Sequence, residues 1–241
     1  MAFLLESEKP PFSIRFDLGF LHLKAKAALG EFPHGRKRKQ HWESFPTEMS
    51  LARCRKEADM EYRLRRLSRE TVIDGKVLTF CRDRMVLPDG KEEQWDFVHH
   101  KHGGGACVVP VLPDGRILLV RQLRPAIDRE CLELPAGARE DPAEDGAETA
   151  RRELAEETGY RAGRLTKLLH LQTAGAWCDE TTEVYLAEDL TRTGAQTLDE
   201  AEEITTEART PEELRDLILQ GEIRDAKTAA GILAYLAYRQ R

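Results

Sequence analysis

Residues 137–160 read GAREDPAEDGAETARRELAEETGY, and the punctuation of this run marks a helix. Asp141-Pro142 has the form of a helix start, Ala147, Ala150 and Leu154 recur at helical spacing, and Gly159 stands where a helix stops. The pattern predicts a helix over 144–158. Within it Glu153, Glu156 and Glu157 stand at i, i+3 and i+4, so their side chains meet on one side of the helix. Like charges at that spacing cost about 0.2–0.5 kcal/mol per pair. A hard cation between them removes that cost, and Mg2+ takes oxygen ligands while bridging carboxylates to phosphate. Taken alone, the three glutamates fit equally a solvated acidic face partnered by Arg151 and Arg152.

The order of the whole run resembles the Nudix box, the signature of hydrolases acting on nucleoside diphosphates linked to another moiety. Its second half matches throughout: Glu144, seven residues, then Arg152-Glu153-Leu154-Ala155-Glu156-Glu157-Thr158-Gly159-Tyr160. Its first half departs, because six residues rather than five separate Gly137 from Glu144, which lengthens the loop entering the helix. The resemblance implies that Glu153, Glu156 and Glu157 bind Mg2+, with Mn2+ as a substitute, and that the carbonyl of Ala136 is a further metal ligand. It also implies that Arg152 serves the catalytic set by orienting helix and loop through a salt bridge to Glu144.

The likeness extends to both sides. Upstream, residues 107–137, CVVPVLPDGRILLVRQLRPAIDRECLELPAG, give a strand over 107–112, a Pro113-Asp114-Gly115 turn and a strand over 117–121, which reads as a hairpin. This stretch is similar to ADP-ribose pyrophosphatases, in which Arg-Gln-apolar-Arg-Pro and Glu-Leu-Pro-Ala-Gly recur. Here they are Arg121-Gln122-Leu123-Arg124-Pro125 and Glu133-Leu134-Pro135-Ala136-Gly137. The resemblance implies a substrate-binding set of Arg124, Arg121 and Glu133, with Arg124 on the phosphates. A guanidinium fork suits phosphate oxygens, although a surface salt bridge is the other reading of Arg124. Downstream, Val184-Tyr185-Leu186-Ala187 resembles a core strand of the group. Asp199-Glu200-Ala201-Glu202-Glu203-Ile204 resembles the acidic loop that carries its general base; Glu200 matches that base and Glu180 a second acidic position. Without the likeness both read as solvated loop residues. Thr173-Ala174-Gly175 stands where the ADP-ribose-preferring members carry a Ser-Pro-Gly-like turn, and nearby Trp177 fits either stacking on a base or packing.

The implied reaction is hydrolysis of ADP-ribose or a related nucleoside diphosphate sugar to a nucleoside monophosphate and a sugar phosphate. GDP-mannose or a UDP-sugar is the alternative substrate. A nucleotide-sugar-binding regulator without turnover would carry eroded glutamates or an attached DNA-binding domain, and the sequence displays neither.

Composition narrows the setting. The 241 residues carry a net charge of −6. Residues 1–60 hold 11 Lys/Arg and 8 Asp/Glu, a charge of +3, and the remainder holds 26 and 35, a charge of −9. An acidic body argues against general nucleic-acid binding, and Arg36-Lys37-Arg38-Lys39 reads better as a solvated loop than as a phosphate or lipid contact. No apolar run approaches the roughly 18 residues of a membrane span. The N-terminus lacks the charged start and long apolar stretch of a signal peptide, and the five cysteines read as reduced thiols. A cytoplasmic protein is expected. His99-His100-Lys101-His102 reads poorly as a metal site, since adjacent strand residues face opposite ways.

The expected fold class is α/β: a Nudix α/β/α sandwich around a mixed sheet, preceded by a small antiparallel sheet. The expected parts are 1–59, an extension of unknown structure; 60–101, the small sheet, with strands over 62–70 and 75–87 and a partner over 94–99; and 102–241, the catalytic domain. Two C-terminal helices are expected. One opens at the capping box Thr210-Pro211-Glu212-Glu213, and the other runs over 225–238 with Ile232, Leu233 and Leu236 on its buried side. Likeness alone implies a homodimer through the small sheet.

Overall fold

The chain is described from a computed structural model covering residues 63–198 and 203–240. Its first three strands are β1 (Arg65–Asp74), β2 (Leu78–Val86) and β3 (Glu92–His100), which pair antiparallel in the order β1-β2-β3. This is the expected small sheet. Along β2 the side chains alternate, with Thr79, Cys81, Asp83 and Met85 buried. The buried Asp83 carboxylate receives Arg69 Nε at 2.8 Å and Arg66 Nη1 at 3.2 Å, while β1 is exposed along its whole length. The sheet and everything after it belong to one compact unit, Glu61–Arg241.

The expected hairpin after it does not form. Strand β4 (Gly104–Pro110) and strand β5 (Ile117–Arg124) are joined by the Pro113-Asp114-Gly115 turn but enter different sheets, sharing only a bridge between Val111 and Ile117. The reason is burial. All seven residues of β4 are inaccessible, as befits a central strand covered on both faces. It pairs antiparallel with β7 (Ala136–Ala138) and parallel with β9 (Thr181–Arg192), which in turn carries β8 (Tyr160–Gln172), giving the mixed order β7-β4-β9-β8. Strand β5 instead centres a second antiparallel sheet between β6 (Arg129–Glu133) and β10 (Thr205–Arg209).

The two faces of the mixed sheet divide β4 by alternation. Ala106 and Val108 pack with Ala150 and Leu154 of helix α1 (Gly146–Thr158) and with Tyr185 and Ala187 of β9. Cys107 and Val109 pack on the other side with Leu134, Val184, Leu186, Leu214 of α2 (Pro211–Leu219) and Ile232 of α3 (Ala226–Tyr238). Helices thus cover both faces, the expected α/β/α arrangement. Burial pushes the Cys107 thiol up to about 12, so it stays protonated as a core residue.

Helix ends are set by local chemistry. Helix α1 starts two residues later than expected, because Asp141 and Glu144 are spent on a preceding turn: Asp141 Oδ1 accepts from Ala143 N and Glu144 Oε2 from Glu140 N. Asp145 is the cap and accepts from Ala147 N. Gly159 closes the helix at φ 72°, the left-handed conformation that glycine adopts without strain. The capping box at Thr210 forms as expected, with Thr210 Oγ1 accepting from Glu213 N and Glu213 Oε2 from Thr210 N. On α3 the expected buried side is corrected: Leu233 is exposed and Leu236 only partly buried, and Thr228, Gly231 and Ile232 form the inner stripe.

Candidate active site

Helix α1 delivers its glutamates to the short strand β7. Glu157 Oε2 accepts from Ala136 N at 3.0 Å, and the Glu153 carboxylate lies where a Cβ on Gly137 would be, 2.0 Å from that position. Glycine is therefore what lets an acidic side chain lie flat against β7. Arg152 clamps the same junction. Its Nη2 donates to Ala138 O at 2.9 Å, its Nη1 reaches Glu153 at 2.6 Å and Glu156 at 3.2 Å, and its Nε stands 3.6 Å from Glu144, the salt bridge expected from the sequence. Burial works against the charge on Arg152, but these carboxylates win and hold its pKa above the ordinary value.

Strand β7 lines a cavity of about 340 Å3. Its walls include Gly105, Ala136, Gly137, Arg124, Glu180 and Lys227. A larger hollow of about 770 Å3 runs along the outer surface of α1 past Arg151, Arg152, Glu156 and Thr197. It lacks both β7 and Arg124, so the smaller cavity is the better chemical candidate. Arg124 forks onto Glu133, with Nε to Oε1 at 2.8 Å and Nη2 to Oε2 at 2.7 Å. Glu133 is only 2% exposed. Burial opposes its ionisation, yet Arg124 and Lys227 hold its carboxyl below the usual range. Glu180 accepts from Thr173 Oγ1 at 2.8 Å across the turn where the Ser-Pro-Gly-like sequence is replaced.

Of the expected site residues, Ala136, Arg124 and Glu180 come together on this cavity, while Glu133, Glu153 and Glu157 contact residues that line it. Glu156 faces the outer hollow. Arg121 does not reach the cavity; it pairs with Glu207 at 2.9 Å and Glu130 at 3.4 Å across neighbouring strands. Glu200, with residues 199–202, lies outside the described residues. Trp177 is 55% exposed, on the rim of a small hollow with Arg69, Phe97 and Asp179, so it is not a core residue.

Two residues were missed by sequence reasoning. Lys227 enters the cavity from the first turn of α3 and donates to Glu133 at 2.5 Å, across 94 positions of chain. Asp179 accepts from His100 N at 2.9 Å and meets His99 Nδ1 at 2.7 Å, tying the small sheet to the 173–180 turn. The only advance signal for Lys227 was its place just after a helix-capping Asp225. His102 meets Arg139 O through Nδ1 at 2.6 Å, and its ring lies edge-on to that of His100.

Among the described residues no three His, Cys, Asp or Glu side chains converge as a ready metal cage. The carboxylates are engaged by Arg152 and the β7 amide. The donor set nonetheless fits a hard cation: three carboxylates within one helical turn, two of them seated against a strand whose glycine makes room for one. Magnesium sites of this kind complete their shell with water and substrate phosphate. The arrangement can bind a phosphate-bearing molecule and offer a carboxylate, Glu180, to a water.

The model described as NUDIX domain matches residues 101–231. The chain is 37% identical over 167 residues to the ADP-ribose pyrophosphatase of Bacillus subtilis (strain 168), covering 69% of this chain and 89% of that protein. It is 33% identical over 175 residues to the ADP-ribose pyrophosphatase of Mycobacterium tuberculosis (strain ATCC 25618 / H37Rv), covering 72% and 84% respectively. A solved structure described as an ADP compounds hydrolase superposes with a TM-score of 0.64 at 21% identity, covering 73% of this chain and 94% of that one.

Proposed function

We propose that this chain, which belongs to the NUDIX domain family, hydrolyses the diphosphate bond of a nucleoside diphosphate sugar with the help of Mg2+, or of Mn2+ in its place. One observation carries the reading: Glu153 and Glu157 sit against Ala136 and Gly137, and that same strand lines a cavity with Arg124, Lys227 and Glu180. The names of the relatives support ADP-ribose as the substrate, with AMP and ribose 5-phosphate as products. The Thr173-Ala174-Gly175 turn favours a second reading, in which GDP-mannose or a UDP-sugar takes its place.

In this proposal Glu153, Glu156, Glu157 and the Ala136 carbonyl hold the cation. When bound, it supplies charge neutralisation at the phosphate oxygens and polarises phosphorus. Arg152 keeps α1 docked on β7, so that the glutamates stay in register with the cavity. Arg124, oriented by Glu133, turns its remaining N–H groups to a phosphate. A water oxygen adds to phosphorus, the anhydride P–O bond breaks, and the departing phosphate leaves as an anion. The proton of that water passes to a carboxylate, with Glu200 as the base by family resemblance and Glu180 as the second acidic candidate.

The wider reading assigns residues 60–101 to dimerisation and 102–241 to catalysis, with 1–59 as an extension. It also places the protein in the cytoplasm, in keeping with the free thiols Cys81, Cys107, Cys131 and Cys178.

The test is phosphate release, after coupled phosphatase treatment, from ADP-ribose, GDP-mannose, UDP-glucose and dinucleotides with Mg2+. One substrate is expected to dominate, with turnover abolished by Glu156→Gln/Glu157→Gln. Tight binding of a nucleotide sugar without any turnover would replace the hydrolase with a binding module.

A further inference from the structure

The charged group around Glu133 is neutral in sum yet rich in hydrogen-bond donors. Glu133 Oε1 is taken by Arg124 Nε, and Oε2 by both Arg124 Nη2 and Lys227 Nζ. Asp225 spends Oδ1 on Lys227 Nζ at 2.9 Å and Oδ2 on Thr228 N at 2.9 Å. Both acidic groups are thus turned onto the cations and the helix amide. The cations are not used up. Among the described residues Lys227 commits two of its three donors, and Arg124 two of its five. Both line the cavity beside β7, where Asp225, turned onto Lys227, and Glu180, held by Thr173, are the acidic lining residues.

The placement is fixed from behind. Thr228, fully buried, accepts from Leu134 N at 2.9 Å, pinning the first turn of α3 to the segment that leads into Ala136. The Lys227 side chain is 19% exposed and cannot swing into solvent without leaving the buried Glu133 carboxylate with one cation fewer. Asp225 and Glu133 outweigh the effect of burial and keep the ammonium protonated.

We infer that Lys227 and Arg124, set side by side by Glu133, form a phosphoryl-binding site in this cavity that takes one phosphate of the diphosphate substrate and then the phosphate-monoester product. The inference rests on the diphosphate-hydrolase reading for the substrate, but the phosphate site is tested separately. Lysine supplies the point charge and arginine the planar fork.

The experiment uses the full chain. Lys227→Met is expected to raise KM for the diphosphate substrate, and the inhibition constant for AMP or ribose 5-phosphate, by about 10- to 100-fold, with Lys227→Arg recovering most of the loss. Should Lys227→Met fail to fold, the wild-type protein carries the test. Amine-reactive labelling of Lys227, read by mass spectrometry, is expected to slow several-fold with AMP or ribose 5-phosphate present. Unchanged KM and product inhibition in a folded Lys227→Met, or labelling that neither product slows, overturns the assignment. If the wild type turns over no diphosphate, the hydrolase reading fails, and product protection of Lys227 still decides whether the phosphate site exists.

Discussion

Gly137 is the residue at which sequence and chemistry meet most closely, because the Glu153 carboxylate occupies the space its side chain would need. A methyl group there would stand 2.0 Å from Glu153 Oε1, and the obstructing group is the carboxylate itself. Gly137→Ala is therefore expected to leave the fold intact, since the carboxylate can rotate away, and to lower turnover by about 100-fold through displaced geometry. Turnover and the metal concentration for half-maximal rate are the measurements; an unchanged rate would remove Glu153 from the cation-holding set. At this scale the sequence was legible where partners are near in the chain. The spacing of Glu153, Glu156 and Glu157 and the Arg152–Glu144 pair could be read from helical periodicity and a motif. Lys227 could not. Its partner Glu133 is 94 positions away, and no local pattern marks a lysine whose value depends on where α3 docks. Arg121, from the same motif as Arg124, pairs across neighbouring strands with Glu207 and Glu130, contacts that no local pattern displays.

Elements were legible when their ends are decided by their own residues. The capping box of α2 was read directly and is present with both reciprocal bonds. Thr210→Ala should cost about 1 kcal/mol of stability, within the range for lost caps, and lower Tm by about 2–4 °C in a chain of this size. A thermal melt monitored by circular dichroism checks it, and an unchanged melting temperature would mean that water replaces the cap without loss. The misplaced start of α1 has the same kind of cause, for the expected cap Asp141 accepts from Ala143 N in a preceding turn, and Asp145 accepts from Ala147 N at the helix itself. The hairpin was misread for a deeper reason. A Pro-Asp-Gly turn between two apolar strands specifies a reversal of direction, but not which sheet each strand joins. That choice belongs to β4, whose seven buried residues are satisfied by a parallel partner, β9, drawn from more than seventy residues downstream. The reversal remained, and the pairing went elsewhere.

At the scale of the whole molecule the small sheet is out of balance. Its strand β1 is an edge strand with every residue exposed, and among its exposed apolar side chains are Leu67, Val72 and Ile73, the last at 64%; Val77 and Leu78 follow in the next turn and strand. Long exposed edges with apolar side chains invite pairing with another chain, and isolated proteins usually blunt them with charge, proline or a covering element. The other edge is engaged, because Val98 of β3 donates to Trp177 O at 2.7 Å and Asp179 grips His99 and His100. Among the described residues no strand pairs with β1 on its outer edge, and in the proposed dimer a second copy would bury apolar surface there. The same sheet carries Arg69 and Phe97 on the hollow beside Trp177, so dimerisation would set the environment of that rim as well. We predict that the wild-type chain sediments at about twice its 27.4 kDa mass and that Val72→Asp/Ile73→Asp, which places two charges at the exposed irregularity of β1, sediments as a monomer. Analytical ultracentrifugation measures both. A monomeric wild type would remove the dimer, and a double variant that stays dimeric with an unchanged melting temperature would move the interface away from this sheet.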